Sequence, residues 1–250
     1  MSVAATVLFL VLSFIAEILG TIGGFGSSTY FVPVANYFLD FQTVLGITSV
    51  FHVFSNISKI ALFKKGLDRK ILFQIGIPAV LFVIIGAFAS KYINVKYLQL
   101  VLAFFLIGLS ILFIIKKELK FDANKKNSFI GGSLSGFFAG LLGTGGAIRG
   151  ITMAAFSVEK SVFVATSAAI DLAVDGSRMV VYFFNGYIHK HDLYLIPFLI
   201  VIGFVGSYIG KLILDKIPQE KFRVLVLVLI FIVGITMILK FFGISYFSEW

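Results

Sequence analysis

Asp171, Asp175 and Arg178 stand at i, i+4 and i+7 of one apolar run, Ser161–Phe184. In a helix that spacing puts all three on one face. His52, Asn56 and Lys59 repeat the spacing in another run, Phe41–Phe63. Ionisable side chains inside membrane segments are costly, and they mark ion paths, proton relays or ligand counter-ions. These six residues are therefore candidates for coupling or gating, with Asp171 and Asp175 as the candidate proton carriers. Internal pairing is the plainer alternative. Either aspartate would neutralise Arg178 and fix the bundle, and Lys59 would snorkel to the cytoplasmic face. Glu17 is a weaker candidate, facing either a nearby glycine break or only the bundle interior.

Two Gly-rich stretches suggest a second chemistry. "GTIGGFGSSTYFVPV" runs from Gly20 to Val34, and "GLLGTGGAIRG" from Gly140 to Gly150. Both interrupt apolar sequence. A helix broken in lipid exposes backbone N–H and C=O groups, so such breaks belong inside the protein or against a water-filled cavity. A break also creates a helix N-terminus, whose unpaired N–H groups and partial positive charge suit an anion. The candidate anion ligands are Gly23, Gly24, Gly26, Ser27, Ser28 and Thr29 in the first break. In the second they are Gly143, Thr144, Gly145, Gly146 and Arg149, whose planar donor fork fits a sulfonate or carboxylate. Close helix packing through small residues is the competing explanation. Neither stretch is a dinucleotide fingerprint or a Walker loop, because the strand–helix context is missing and no Gly-Lys-Ser/Thr follows.

The elements that must position these residues are membrane helices. Hydrophobic residues make up 59% of the 250 and charged residues 13%, against about 25% charged in an ordinary soluble domain. Mean hydropathy is +1.05. The alternating segments of a β-barrel are absent. The fold class is thus an all-α polytopic membrane protein. The net charge of +9 is read as topology signal rather than nucleic-acid binding, since Lys and Arg cluster between the apolar runs. With no cysteine, thiolate chemistry and disulfides are excluded. The N-terminal run lacks a basic leader and carries Glu17, so it is expected to be kept as the first membrane segment.

Six runs are long enough to span a bilayer: Phe41–Phe63, Ile71–Ser90, Tyr97–Ile115, Ser161–Phe184, Leu193–Gly210 and Phe222–Lys240. Val3–Leu39 and Ser128–Ser157 are each expected to form two short helices joined by a Gly-rich break. A shift of about 120 residues superposes the halves. Gly20 then falls on Gly140, Gly23 on Gly143, Gly26 on Gly146, and "GAFASK" on "GSYIGK". With one residue less, His52 meets Asp171, Asn56 meets Asp175 and Lys59 meets Arg178. The expected organisation is a first repeat over 1–115, a basic linker over 116–127 and a second repeat over 128–250. Counting Lys and Arg in the loops favours inverted over parallel halves, with both termini outside. Paired breaks at matching repeat positions point to the binding site of a transporter.

"HKHD" (His189–Asp192) resembles a metal motif but is read as a solvated surface loop, so no metal site and no cofactor is expected. Tyr92, Tyr97, Tyr246 and Trp250 suit the interface belt.

The first Gly-rich segment closing on Val32-Pro33, its partner "GLLGTGGAIRG" and the duplication together resemble the TauE/SafE family of sulfite and organosulfonate exporters, over essentially the whole chain. The second half departs in having Met153 where the proline would fall. The resemblance implies a prokaryotic plasma-membrane permease for small, often sulfur-containing anions, not an enzyme. Expected partners are the anion, protons as a possible coupling ion, membrane lipids and a possible oligomer. An anion channel is the alternative, and an intramembrane enzyme a weaker one, because no catalytic partner motif accompanies the aspartates.

Overall fold

The computed structural model describes residues 1–24, 26–63, 66–115, 123–156 and 158–214, with 216, 231–232, 234–235, 238–239 and 241–242 beyond them. Among these residues the regular structure is helical. The run α1 (Val3–Gly23), α2 (Ser28–Ala35), α3 (Phe41–Leu62), α4 (Arg69–Ala89) and α5 (Val95–Ile115) forms the first half. It is followed by α6 (Lys125–Leu142), α7 (Gly146–Ala154), α8 (Lys160–Phe184), a 3-10 turn over Lys190–Leu195, and α9 (Ile196–Leu214). Most of the expected span Phe222–Lys240 and most of the 116–127 linker lie outside the described residues.

Local chemistry sets these boundaries. Ser2, Asp40, Asp68 and Asn124 accept hydrogen bonds from Ala5, Thr43, Ile71 and Asn127 N–H groups at 3.2, 3.0, 3.0 and 2.8 Å, each satisfying an orphan donor of a first helical turn. The Asn124 cap starts α6 three residues before the expected second repeat. At the other ends, Gly24 (φ 68°) and Gly143 (φ 80°) close α1 and α6 in the left-handed conformation, where a side chain is disfavoured. The two caps are 119 residues apart, the same offset that aligns the polar residues. Gly23, expected to match Gly143, is instead the last residue of α1.

Both interrupted regions are broken helices, but their first arms are not short. α1 has 21 residues and α6 has 18. Five described helices are long and apolar enough to cross a membrane: Val3–Gly23, Phe41–Leu62, Arg69–Ala89, Val95–Leu112 and Lys190–Leu214.

α3 packs on α8 at the centre, α4 on α6 and α8, and α9 on α1 and α3. Exchanging α1 with α6, α3 with α8 and α4 with α9 maps these pairs onto one another. The α4–α6 contact is built on backbone approach. A methyl group at Gly132, Gly136 or Gly140 would collide with the carbonyl oxygen of Ile75, Ala79 or Val83 respectively, and one at Gly86 with that of Phe137. Small residues at a four-residue interval admit such close crossings in membranes. On the exchanged pair, a methyl at Gly206 would meet Glu17 Cγ at 2.8 Å and one at Gly210 would meet Thr21 Cβ at 2.7 Å.

Candidate anion site

The two breaks meet. Thr29 Oγ1 and Thr144 Oγ1 lie 3.2 Å apart, joining the start of α2 to the turn before α7. Beside this contact the guanidinium of Arg149, three residues into α7, forms an ion pair from Nη2 to Asp171 Oδ2 on α8. Arg149 Nε also donates to Ser167 Oγ at 3.1 Å. Gly26 (φ 81°) passes directly over the pair, so that a methyl there would lie 3.5 Å from Asp171 Oδ2 and 3.7 Å from Arg149 Nη2. The absence of a Cβ is what leaves this space.

That space opens into a small cleft with room for about one water molecule, part of it open to solvent. Gly20, Thr21, Gly24 and Gly26 line it from α1 and the first break, Asn56 and Lys59 from α3, and Val164, Ser167, Ala168 and Asp171 from α8. Arg149 is 1% exposed, whereas Asp171 is 14% exposed. The carboxylate therefore sits between the guanidinium and the cavity.

Glu17 anchors the opposite wall. It is fully buried and pairs with Lys59 Nζ at 2.8 Å. Its carboxylate accepts hydrogen bonds from Ser27 (2.6 Å), Ser55 (2.6 Å) and Ser207 (2.8 Å), drawn from the first break, α3 and α9. Burying a charge is tolerable only when it is paired and its lone pairs are satisfied, and these partners, with Thr21 Oγ1 at 3.4 Å, achieve that here. Lys59 also donates to Ser55 Oγ at 2.8 Å. It does not snorkel to the surface, because a buried carboxylate one helix away holds it more strongly than water at the end of a flexible chain.

Arg178 serves the second break in the same way. It pairs with Asp175 at 2.7 Å and donates from Nη1 to the Ala139 carbonyl at 2.9 Å. Tyr182 donates to the Gly140 carbonyl at 2.5 Å. Both carbonyls lie in the last turn of α6, the end that carries partial negative charge, and the Ala139 carbonyl also accepts from Gly143 N–H at 3.1 Å. Asn56 Nδ2 donates to Asp175 Oδ2 at 2.8 Å, so two residues that the repeat alignment superposes touch each other. His52 Nε2 lies 3.1 Å from Ser27 Oγ, and its ring packs on Phe31 and Phe51.

The predicted residues thus divide. Gly24, Gly26, Asn56, Lys59 and Asp171 line the cavity, and Arg149 stands behind Asp171. Ser27 and His52 belong to the Glu17 cluster, Asp175 and Arg178 to the cap of α6, and Thr29 and Thr144 to the contact between breaks. Ser28 Oγ faces Gly26, 3.9 Å from where its Cβ would be. Gly143 and Gly145 are packing positions, since side chains there would collide with Leu45 and with the Ser135 carbonyl. Gly146 opens α7. Thr21 and Ser167 were not singled out in the sequence, where small polar residues in helices carry no distinguishing signal. In the "HKHD" segment, His191 is solvated as expected (77% exposed), but Asp192 is 8% exposed, folded under the loop by the 3-10 turn.

The profile of the sulfite exporter TauE/SafE family matches residues 9–237. A probable membrane transporter protein of Methanocaldococcus jannaschii is 26% identical over 93% of this chain and 95% of its own length. The match spans both breaks and the charged helices α3 and α8. The chain is a multi-pass membrane transporter and belongs to the TauE/SafE sulfite exporter family.

Proposed function

We propose that the protein is a secondary exporter of a small anion, sulfite or an organosulfonate, in a prokaryotic plasma membrane. The anion binds in the cavity below Gly24 and Gly26, between Lys59 and Arg149. The observation that carries this reading is the Arg149–Asp171 pair at the cavity wall. Asp171 occupies the guanidinium as a tethered anion, and a substrate oxyanion offers the same fork the same geometry.

Charge balance adds the coupling. Glu17 with Lys59, Asp171 with Arg149 and Asp175 with Arg178 cancel pairwise around the cavity. A further anion in this low-dielectric space would be uncompensated, which is costly. A proton taken up by Asp171 removes that excess and frees Arg149 in the same event. Substrate and proton then cross together, and net export follows the outward gradient of the substrate. The two halves are read as inverted repeats, and alternating access is motion of one repeat element, with its broken helix, against the rest.

Thermal stabilisation of the purified protein by sulfite, thiosulfate, sulfoacetate, taurine, acetate and phosphate tests the binding step. A ligand selective for the folded state raises its stability by about 2.7 kcal/mol at a hundred times Kd. One sulfur oxyanion should raise the melting temperature of the wild type and leave Arg149→Ala and Gly24→Ala unmoved. Equal shifts in all three proteins, or none for any anion, would remove the site.

A further inference from the structure

We infer that His189, His191 and Asp192 form a binding site for a zinc-class divalent cation at the end of the bundle away from the "KKGLDRK" loop. This site is independent of the transport cavity. It lies on the loop between α8 and α9, where Asn185 donates to the Ala87 carbonyl at 3.1 Å and Tyr187 Oη lies 3.3 Å from Ser90 Oγ. Those contacts place it beside the end of α4 and the start of α3, on the side the loop charges assign to the outside.

The geometry fits an ion. One ligand atom from each residue lies within 4.8 Å of the others. His191 Nε2 is 3.0 Å and His189 Nδ1 3.7 Å from Asp192 Oδ2. A tetrahedral zinc ion with ligand bonds of about 2.0–2.1 Å separates its ligands by roughly 3.4 Å, between those two values. The imidazole rings stand parallel, 5.3 Å apart at 11°.

The buried carboxylate is the second, separate observation. Asp192 is 8% exposed, and its Oδ2 takes no hydrogen bond, although His191 stands beside it off the line of one. A buried carboxylate oxygen without a hydrogen bond is costly, and a metal ion between it and two imidazoles would offset this. His189 Nδ1 also lies 2.8 Å from Thr43 Oγ1, a hydroxyl that donates to Asp40 at 2.6 Å, so metal binding at Nδ1 would take the place of that hydrogen bond. Two nitrogens and one carboxylate favour zinc, cobalt(II), nickel or copper(II) over magnesium or calcium, which prefer all-oxygen shells. The three ligands come from one short loop, so bound metal would fix that loop's own conformation.

The test uses the full chain purified in detergent without a polyhistidine tag. Equilibrium dialysis against zinc, read by elemental analysis, should give one zinc per chain that excess magnesium does not displace. His191→Ala and Asp192→Asn should each weaken binding at least about 10-fold, and Lys190→Ala should not. His191 is mostly solvated, so His191→Ala should melt like the wild type without metal and lose only the zinc-induced rise. Absence of stoichiometric zinc on the wild type, or equal zinc on wild type and both ligand variants, would overturn the inference.

Discussion

Asp171 on α8 neutralises Arg149 on α7 beneath Gly26, so the guanidinium best placed to hold an anion is already occupied by a carboxylate of the same chain. Substrate and Asp171 therefore compete for one fork. Asp171→Asn should leave a folded protein in which anion binding is strengthened while anion movement no longer carries protons. Arg149→Lys should bind weakly, since a single ammonium cannot reproduce a planar bidentate contact. Titration calorimetry on both variants checks this. Weaker binding in Asp171→Asn than in the wild type would contradict the competition.

Glu17 and Lys59 predict a stability effect. Removing one member of a buried pair strands the other at a cost of about 3–5 kcal/mol. Glu17→Gln should lower the melting temperature markedly, and Glu17→Gln combined with Lys59→Met should recover much of the loss. Melting curves of the two single variants and the double variant decide it. Additive losses would mean that the two charges do not support each other.

Gly26 needs a control that separates strain from space. Gly66 also has positive φ, 100°, but no described residue lies within 4 Å of a Cβ built there. Both Ala variants should lose about 1–2 kcal/mol from the left-handed backbone. Only Gly26→Ala should also lose anion-induced stabilisation, because its methyl enters the space over Arg149 and Asp171. Equal anion responses from the two variants would place the substrate elsewhere.

The glycines of α6 predict a folding defect rather than a transport defect. Gly136→Ala drives a methyl into the Ala79 carbonyl, and overpacking of this kind costs about 1–3 kcal/mol. Gly108→Ala on α5, with no described residue within 4 Å of an added methyl, should gain up to about 1 kcal/mol in helix propensity. Monodispersity by gel filtration and the melting temperature report both. A neutral Gly136→Ala would mean that α4 and α6 do not touch through their backbones.

The sequence exposes the features that rest on strong local signals. Apolar runs gave α3, α4 and α8 to within two residues at each end, because capping residues and charged loops bound them. The breaks were legible because each gathers several glycines within a few residues, at matching positions of the two halves. The spacing of Asp171, Asp175 and Arg178 placed them on one helix, but only the Asp175–Arg178 pair could be anticipated from it. Partners from other helices were not legible. Arg178 also binds a backbone carbonyl, Ala139, which any residue supplies. Lys59 pairs with Glu17 from 42 positions away, a distance at which snorkelling was the simpler expectation. Glycines facing a cavity and glycines facing a backbone look alike in one dimension, so Gly26 and Gly145 entered the same candidate set although only Gly26 lines the space. The burial of Asp192 depends on how one loop folds against α3, which no periodicity encodes.

The most direct test of proton-coupled anion transport is lumen pH in proteoliposomes that carry a trapped pH dye, after an imposed gradient of sulfite, thiosulfate or sulfoacetate. Protein-free vesicles set the baseline. The account predicts that at least one of these anions drives a protein-dependent pH change in the lumen. That change should disappear in Arg149→Ala, and in Asp171→Asn it should disappear while isotopically labelled anion still crosses. Labelled anion crossing without any pH change in the wild type, or an undiminished pH change in Asp171→Asn, would contradict it.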